Sequence, residues 1–206
     1  MQPAVVVCLD MEGVLTPEIW PGLSEKTGID DLRVTTRDIP DYDDLMRLRL
    51  DILSKHKIGI ADIRAVAATM TPLDGAVDFL DWLRERCQVI ILSDTYYELI
   101  GPLMKHLHYP TIFCHMLDID DAGCIRNYML RQKDQKRHAV AAVKRLNFRV
   151  LAAGDSHNDL SMLHEADAGF FFCPPEAICS KYPQFPVTRS YPELMEQLTL
   201  AGNLHG

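Results

Sequence analysis

An α/β fold, a doubly wound parallel sheet with a small helical cap inserted after the first strand, is predicted by two features of this sequence. Short β-branched or apolar runs alternate with helix-like stretches, the pattern of a sheet covered on both faces. One long stretch near the start breaks that alternation with helical periodicity instead. The length of 206 residues and the 48% apolar content are enough to bury one substantial core and a small appended unit.

Taken in order, the predicted strands are Ala4 to Leu9, Gln88 to Leu92, Thr111 to Cys114, Arg149 to Ala153 and Ala168 to Phe172. The helices between them are Leu73 to Arg86, Thr95 to Lys105, Lys136 to Leu146 and Asp155 to Glu165. Thr95 and Glu98 have the spacing of a capping box, as do Ser190 and Glu193, which open a terminal helix through about Leu200. In the first interruption, Leu45, Leu48, Ile52 and Leu53 fall at helical spacing, and Ile63, Val66, Ala67 and Met70 repeat it before Thr71-Pro72. The expected division is therefore a core of residues 1–15 and 72–206 and a cap of residues 16–71. A second interruption, His115 to Leu130, carries Asp120-Asp121-Ala122-Gly123 between two extended arms and reads as a hairpin.

Composition excludes several classes of function. Lys plus Arg number 21 against 29 Asp plus Glu, and a net charge of -8 disfavours a general nucleic-acid binder. No window reaches the roughly 18 uninterrupted apolar residues of a membrane span, and the first residues carry no basic, apolar leader pattern, so a cytoplasmic protein is expected. The six cysteines include no C-x-x-C pair and the eight histidines no H-E-x-x-H, which leaves neither a zinc site nor a disulfide framework. Trp20, Trp82 and Phe170 to Phe172 read as core.

The chemistry starts where the first strand ends, at Asp10-Met11-Glu12-Gly13. Two carboxylates two residues apart there face the crevice in which open α/β sheets bind ligands. One can attack while the other shuttles a proton. Attack by a carboxylate on a phosphate dianion is electrostatically opposed, so a metal and a cationic side chain are required. A second strand ends in Ser93-Asp94-Thr95, offering a hydroxyl and a backbone amide. A third runs into Gly154-Asp155-Ser156-His157-Asn158-Asp159, with Asp155 and Asp159 one helical turn apart. Oxygen ligands of this kind, joined by Asp10, suit Mg²⁺ better than zinc. Lys133, Lys136 and Lys144 are the candidate cations.

These four segments, in this order, resemble the haloacid-dehalogenase-like hydrolases, and within them the phosphoserine phosphatases, including the branch of phosphoserine:homoserine phosphotransferases. The resemblance covers most of the chain. It implies Asp10 as the nucleophile, Glu12 as general acid/base, and Ser93 and Lys133 as phosphate ligands, with Asp94 and Asn158 also facing the substrate. It implies an Mg²⁺ site of Asp10, the Glu12 carbonyl, Asp155 and Asp159. Glu18 and the cap residue Arg49 stand where the phosphoserine phosphatases hold a zwitterionic substrate. Lys133 is preferred over Lys136 because Lys133-Asp134-Gln135 opens a helix about twenty residues before the acidic segment. Glu12 departs from the usual Asp by one methylene, which leaves water or an alcohol such as homoserine as the acceptor. The order of motifs argues against a receiver-like signalling module, and Glu12, Asp155 and Asp159 argue against a metal-free dehalogenase. Another small phosphorylated metabolite remains an alternative substrate, and the oligomeric state is open.

Overall fold

The computed structural model describes residues 3–35, 38–39 and 41–204; three residues of the expected cap, 36, 37 and 40, lie outside these. The first strand, β1 (Val5–Leu9), is the centre of a seven-stranded sheet. On one side lie β2 (Gln88–Tyr96), β3 (Thr111–Ile119) and β4 (Ile125–Met129). On the other lie β5 (Arg149–Gly154), β6 (Ala168–Phe172) and β7 (Val187–Thr188), giving the order β4-β3-β2-β1-β5-β6-β7. Every pairing is parallel except β3 with β4. Because the chain leaves β1 toward β2 on one side and reaches β5 on the other, a crevice opens beyond the C-terminal end of β1.

The helices flanking the sheet are α4 (Ala76–Arg84), α5 (Tyr97–His106), α6 (Gln135–Arg145), α7 (Leu160–Glu165) and α9 (Tyr191–Gly202), with a short α8 (Glu176–Lys181) before β7. The alternation of β1 explains why it must be central. Val7 and Leu9 join one buried cluster with Phe79 and Leu83 of α4 and Leu194 and Leu198 of α9. Val6 and Cys8 join the other with Val140 and Val143 of α6 and Met162 of α7. Burial pushes the Cys8 thiol up to about 12, so it serves as a small apolar side chain.

Between β1 and α4 the chain forms α1 (Ile19–Thr27), a 3-10 helix (Asp30–Arg33), α2 (Tyr42–His56) and α3 (Ile60–Ala67). The two periodic stretches are α2 and α3, whereas α1 is not evident from the sequence because Pro21 and Gly22 read as breakers. Proline is tolerated in a first turn, where its missing amide has no intrahelical partner. The apolar faces of α1, α2 and α3 are continuous with the cluster under the sheet, through Ile19, Leu23, Met46, Leu53 and Ile63.

The second interruption is a hairpin, as expected: Met116 pairs with Met129, and the Asp120 side chain accepts from the amides of Ala122 and Cys124 at the turn. The hairpin also braces the helical insertion. The Gly123 carbonyl accepts from the Ile60 amide at 2.9 Å, and the Tyr128 hydroxyl donates to the Asp43 carboxylate. Among the described residues, no helix is long and apolar enough to cross a membrane.

Three local expectations need correction. Thr95 and Glu98 form no capping box, because β2 continues to Tyr96 and α5 starts at Tyr97; the Glu98 carboxylate accepts instead from the Leu117 amide at 2.9 Å. Asp155 and Asp159 do meet, but not across one helical turn. Asp155 precedes the short 3-10 helix His157–Asp159, and the Asp159 side chain folds back over the loop. The Ser190 box forms by half: the Ser190 hydroxyl accepts from the Glu193 amide, but the Glu193 carboxylate accepts from the Arg189 amide at 2.8 Å instead of that of Ser190.

Candidate active site

The ladder between β2 and β3 runs from Ile90 to Leu92, breaks, and resumes at Tyr96 opposite His115. Ser93, Asp94 and Thr95 lie in this irregularity, at the C-terminal edge beside Asp10. Freed from the ladder, their side chains can be re-aimed into the crevice. On the other side of β1, the loop after β5 brings in Asp155 and Asp159. The carboxylates of Asp10, Asp155 and Asp159 have oxygens within 4.8 Å of one another, and all three residues are buried.

Two glycines make this convergence possible. Gly13 has φ +83°, and a Cβ there would lie 2.6 Å from the Asp155 carboxylate carbon. A Cβ on Gly154 would lie 2.3 Å from that of Asp159. Only a bare backbone lets the acids approach so closely.

Lys136, at the second position of α6, is the buried cation. Its ammonium lies 2.6 Å from Asp159 Oδ1, 2.9 Å from Asp10 Oδ1 and 3.6 Å from Asp94 Oδ2. The other Asp159 oxygen accepts from the amides of Asp155 and Ser156, at 2.9 and 3.1 Å. The expectation for Lys133 is corrected: it is exposed, whereas Lys136 is 2% exposed. Asp134 adopts a left-handed conformation as the cap before α6, so the chain turns between Lys133 and the helix and the two lysines do not share a face.

Four carboxylates thus cluster with one ammonium. Burial, reinforced by Asp159 and Asp155, pushes the Asp10 carboxyl well above its usual range against the opposing pull of Lys136. Burial works against the charge on Lys136, but Asp10, Asp159 and Asp94 outweigh it and hold the ammonium well above its ordinary value. Burial would also raise Asp94, yet Lys136, His115 and Asn158 together hold it below the usual carboxylate range. The excess of negative charge, and a donor set made only of hard oxygens, fit a bound divalent cation such as Mg²⁺.

Glu12 bridges the sheet and the insertion: its carboxylate accepts from the Ile19 amide at 3.1 Å, the first residue of α1. Burial pushes its carboxyl up, opposed by that amide. The remaining walls of a ≈ 100 Å³ cavity come from Glu18, Trp20, Thr35, Arg49, Ser93, Asp94, Thr95, Ser156 and Asn158. Asn158 donates to Asp94 Oδ2 at 2.9 Å. Trp20, expected as core, is buried and also carries the Arg49 guanidinium 4.4 Å above its ring. Arg49 donates to the Val34 carbonyl at 3.1 Å, while its buried Nε–H has no partner among the described residues. Burial pushes Arg49 below its ordinary value, opposed by Tyr42 and Glu12.

All the predicted site residues except Lys133 therefore converge on one cavity or its lining. Gln135, His115 and Tyr42 join them without any signal in the sequence motifs. Gln135 donates to the Ser93 carbonyl at 2.5 Å, and the Tyr42 hydroxyl donates to the Asp94 carbonyl at 3.1 Å. A larger cavity of ≈ 570 Å³ lies between α4 and α9, walled mainly by Phe79, Phe172, Tyr191 and Met195. It holds none of the clustered carboxylates.

A family model of haloacid dehalogenase-like hydrolases matches residues 5–167. The chain is 55% identical over 198 residues to the phosphoserine phosphatase ThrH of Pseudomonas aeruginosa, an alignment spanning 96% of this chain and 97% of that protein. It is 54% identical over 198 residues to a phosphoserine phosphatase of Pseudomonas syringae pv. tomato, over 96% and 84% of the two chains. Among solved structures, a substrate-bound phosphoserine phosphatase shares the fold with a TM-score of 0.77 at 16% identity, over 96% of this chain and 99% of that one. With the family match spanning most of its length and a relative more than half identical across nearly all of it, this chain belongs to the haloacid dehalogenase-like hydrolases.

Proposed function

We propose that this enzyme is an Mg²⁺-dependent phosphoserine phosphatase that works through a phospho-aspartate on Asp10 and also passes the phosphoryl group to homoserine. The observation that carries the reading is the Asp10 carboxylate held 2.9 Å from the Lys136 ammonium, in the wall of a small cavity that Arg49 also lines. The relatives named as phosphoserine phosphatases support the choice of substrate. Residues 16–71 act as a cap over the core, and Glu12, bonded to the first turn of α1, links the two.

In this reading the Asp10 carboxylate attacks phosphorus, the bond from phosphorus to the serine oxygen breaks, and Glu12 delivers a proton to that leaving oxygen. Glu12, now a carboxylate, then takes the proton from water or from the homoserine hydroxyl. That oxygen attacks phosphorus and the bond to Asp10 breaks. Lys136 and Ser93 hold phosphoryl oxygens throughout. Asp10, Asp155, Asp159 and the Glu12 carbonyl would hold the Mg²⁺, which when bound offsets charge on the attacking carboxylate and the phosphoryl group. Arg49, with a buried N–H unpaired among the described residues, takes the substrate carboxylate, and Glu18 takes its ammonium.

Phosphorus NMR of the purified enzyme with O-phosphoserine and Mg²⁺, with and without homoserine and with an EDTA control, tests this directly. Free phosphate silenced by EDTA and by Asp10→Asn is expected, with phosphohomoserine appearing when homoserine is present. Turnover retained by Asp10→Asn would overturn the nucleophile. Phosphate without phosphohomoserine would remove the transfer activity alone.

A further inference from the structure

Asp94 is a carboxylate beside a site that must accept a phosphoryl group, and its surroundings explain how it is tolerated. Its Oδ1 faces two donors, Gln135 Nε2 at 3.3 Å and His115 Nε2 at 3.4 Å. Its Oδ2 faces Asn158 Nδ2 at 2.9 Å and the Lys136 ammonium at 3.6 Å. One oxygen is anchored to the scaffold and the other is presented to the reacting groups.

His115 is the part of that anchor that the phosphoryl-transfer chemistry has not used. It sits on β3 and is 3% exposed. Its Nδ1 accepts from the Arg131 amide at 3.2 Å, so in the neutral ring the proton stands on Nε2, the nitrogen directed at Asp94. The rings of Tyr42 and Tyr96, each with its centroid 6.3 Å away, hold the imidazole in that orientation.

We propose that His115 is a positioning residue, which acts through Asp94 to hold the Lys136 ammonium and the Asn158 amide in place for phosphoryl transfer. The inference rests on the reading that Lys136 holds a phosphoryl oxygen. Its chemical reason lies in the reaction itself. When Asp10 becomes an acyl phosphate, the ammonium loses a full carboxylate partner at 2.9 Å. Asp159 at 2.6 Å and Asp94 at 3.6 Å are unchanged by the reaction and keep Lys136 seated, and Asp94 does so on the side of Asn158 provided its own carboxylate cannot rotate. The β2 irregularity that carries Asp94 supplies no ladder bonds to fix it, which is why side chains from β3 and α6 do so.

Two substitutions in the full chain separate this role from simple packing. Asn at 115 places an oxygen near the position of Nδ1, retaining the Arg131 amide bond while removing the donor to Asp94. Gln places its amide near Nε2, retaining that donor and dropping the acceptor. His115→Asn is expected to lower kcat for O-phosphoserine by about 10-fold or more, and His115→Gln to stay within about threefold of the parent. A merely structural role predicts equal losses or the reverse order, and either result, or full activity in both, overturns the proposal. In an Asp94→Asn background, His115→Asn should add nothing further, whereas an additive loss would show that the histidine acts by another route. Asp10→Asn keeps the two readings apart. If it retains turnover the phospho-aspartate reading fails, and if it is inactive while the two His115 variants behave alike, only this inference fails.

Discussion

Replacing Lys136 by Met is the perturbation whose consequences the geometry defines most fully. The ammonium lies 2.6 Å from one Asp159 oxygen and 2.9 Å from one Asp10 oxygen, in a position where all three residues are buried. At an effective dielectric constant of about 20, each contact is worth roughly 6 kcal/mol of attraction, and most of that offsets the desolvation of the charges. Removing one partner leaves its carboxylates uncompensated, for a net loss of about 3–5 kcal/mol. In a chain of this size that corresponds to a fall in Tm of roughly 6–20 °C. Thermal unfolding followed by circular dichroism in EDTA should show this drop, and millimolar Mg²⁺ should restore part of it by returning positive charge to the cluster. Turnover of O-phosphoserine should fall by about 1,000-fold or more, because a fixed cation at the transferring group is lost. Lys133→Met, on the exposed side of the turn before α6, should change stability by less than about 0.5 kcal/mol and leave turnover intact. If Lys133→Met is the inactive variant, or Lys136→Met unfolds and turns over like the parent, the assignment of the cation is wrong.

Further perturbations test other parts of the site. Arg49→Ala should raise KM for O-phosphoserine by about 10- to 100-fold, since it removes a charge-assisted pair to the substrate carboxylate. The same change should affect O-phosphoethanolamine, which has no carboxylate, by less than about threefold, and equal losses would refute the role given to Arg49. Gly13→Ala would place its Cβ 2.6 Å from the Asp155 carboxylate in a backbone with φ +83°. The strained backbone alone costs about 1–2 kcal/mol, and the displaced carboxylate should raise the Mg²⁺ concentration for half-maximal activity by about 10-fold or more. An unchanged Mg²⁺ dependence would show that Asp155 is not a ligand. Tyr191→Phe removes the hydroxyl that donates to the Val14 carbonyl at 2.7 Å but keeps the ring stacked on Phe79 and Phe172. It should destabilise the chain by about 1 kcal/mol, measured by urea unfolding, and no change would mean that water replaces the bond without loss.

Those parts of the fold that follow from local pattern are legible in the amino-acid sequence. Val5 to Leu9 is a β-branched run too short for a helix and apolar on both faces, which places it in a covered parallel sheet. Helix α2 announces itself through Leu45, Ile52 and Leu53 at one face, and the structure adds its cap, Asp41, whose side chain accepts from the Asp44 amide. Helix α1 is hidden because Pro21 and Gly22 count as breakers in a local reading, although burial of Ile19, Trp20 and Leu23 outweighs that preference. Thr95 and Glu98 mislead for the converse reason. Their spacing satisfies a cap, but cross-strand pairing of Tyr96 with His115 keeps the chain extended beyond it.

The chemical character of the site is set by residue type and order: acids at strand ends, a hydroxyl at the next strand end, and lysines before a second acidic segment. That character survives any small error in where an element begins, because strand ends in a doubly wound sheet share one edge. The choice between Lys133 and Lys136 does not survive such an error. It turns on Asp134 adopting a left-handed conformation as the cap, so that α6 opens at Gln135 and only Lys136 is carried under the sheet edge. Tertiary structure alone likewise decides that Asp159 folds back onto the Asp155 and Ser156 amides, and that His115 and Gln135 grip Asp94. These are hydrogen bonds between segments tens of residues apart or across a single loop, and their geometry depends on how helices and strands pack. Sequence patterns encode which residues are near the site, and only the packed chain decides which atoms touch.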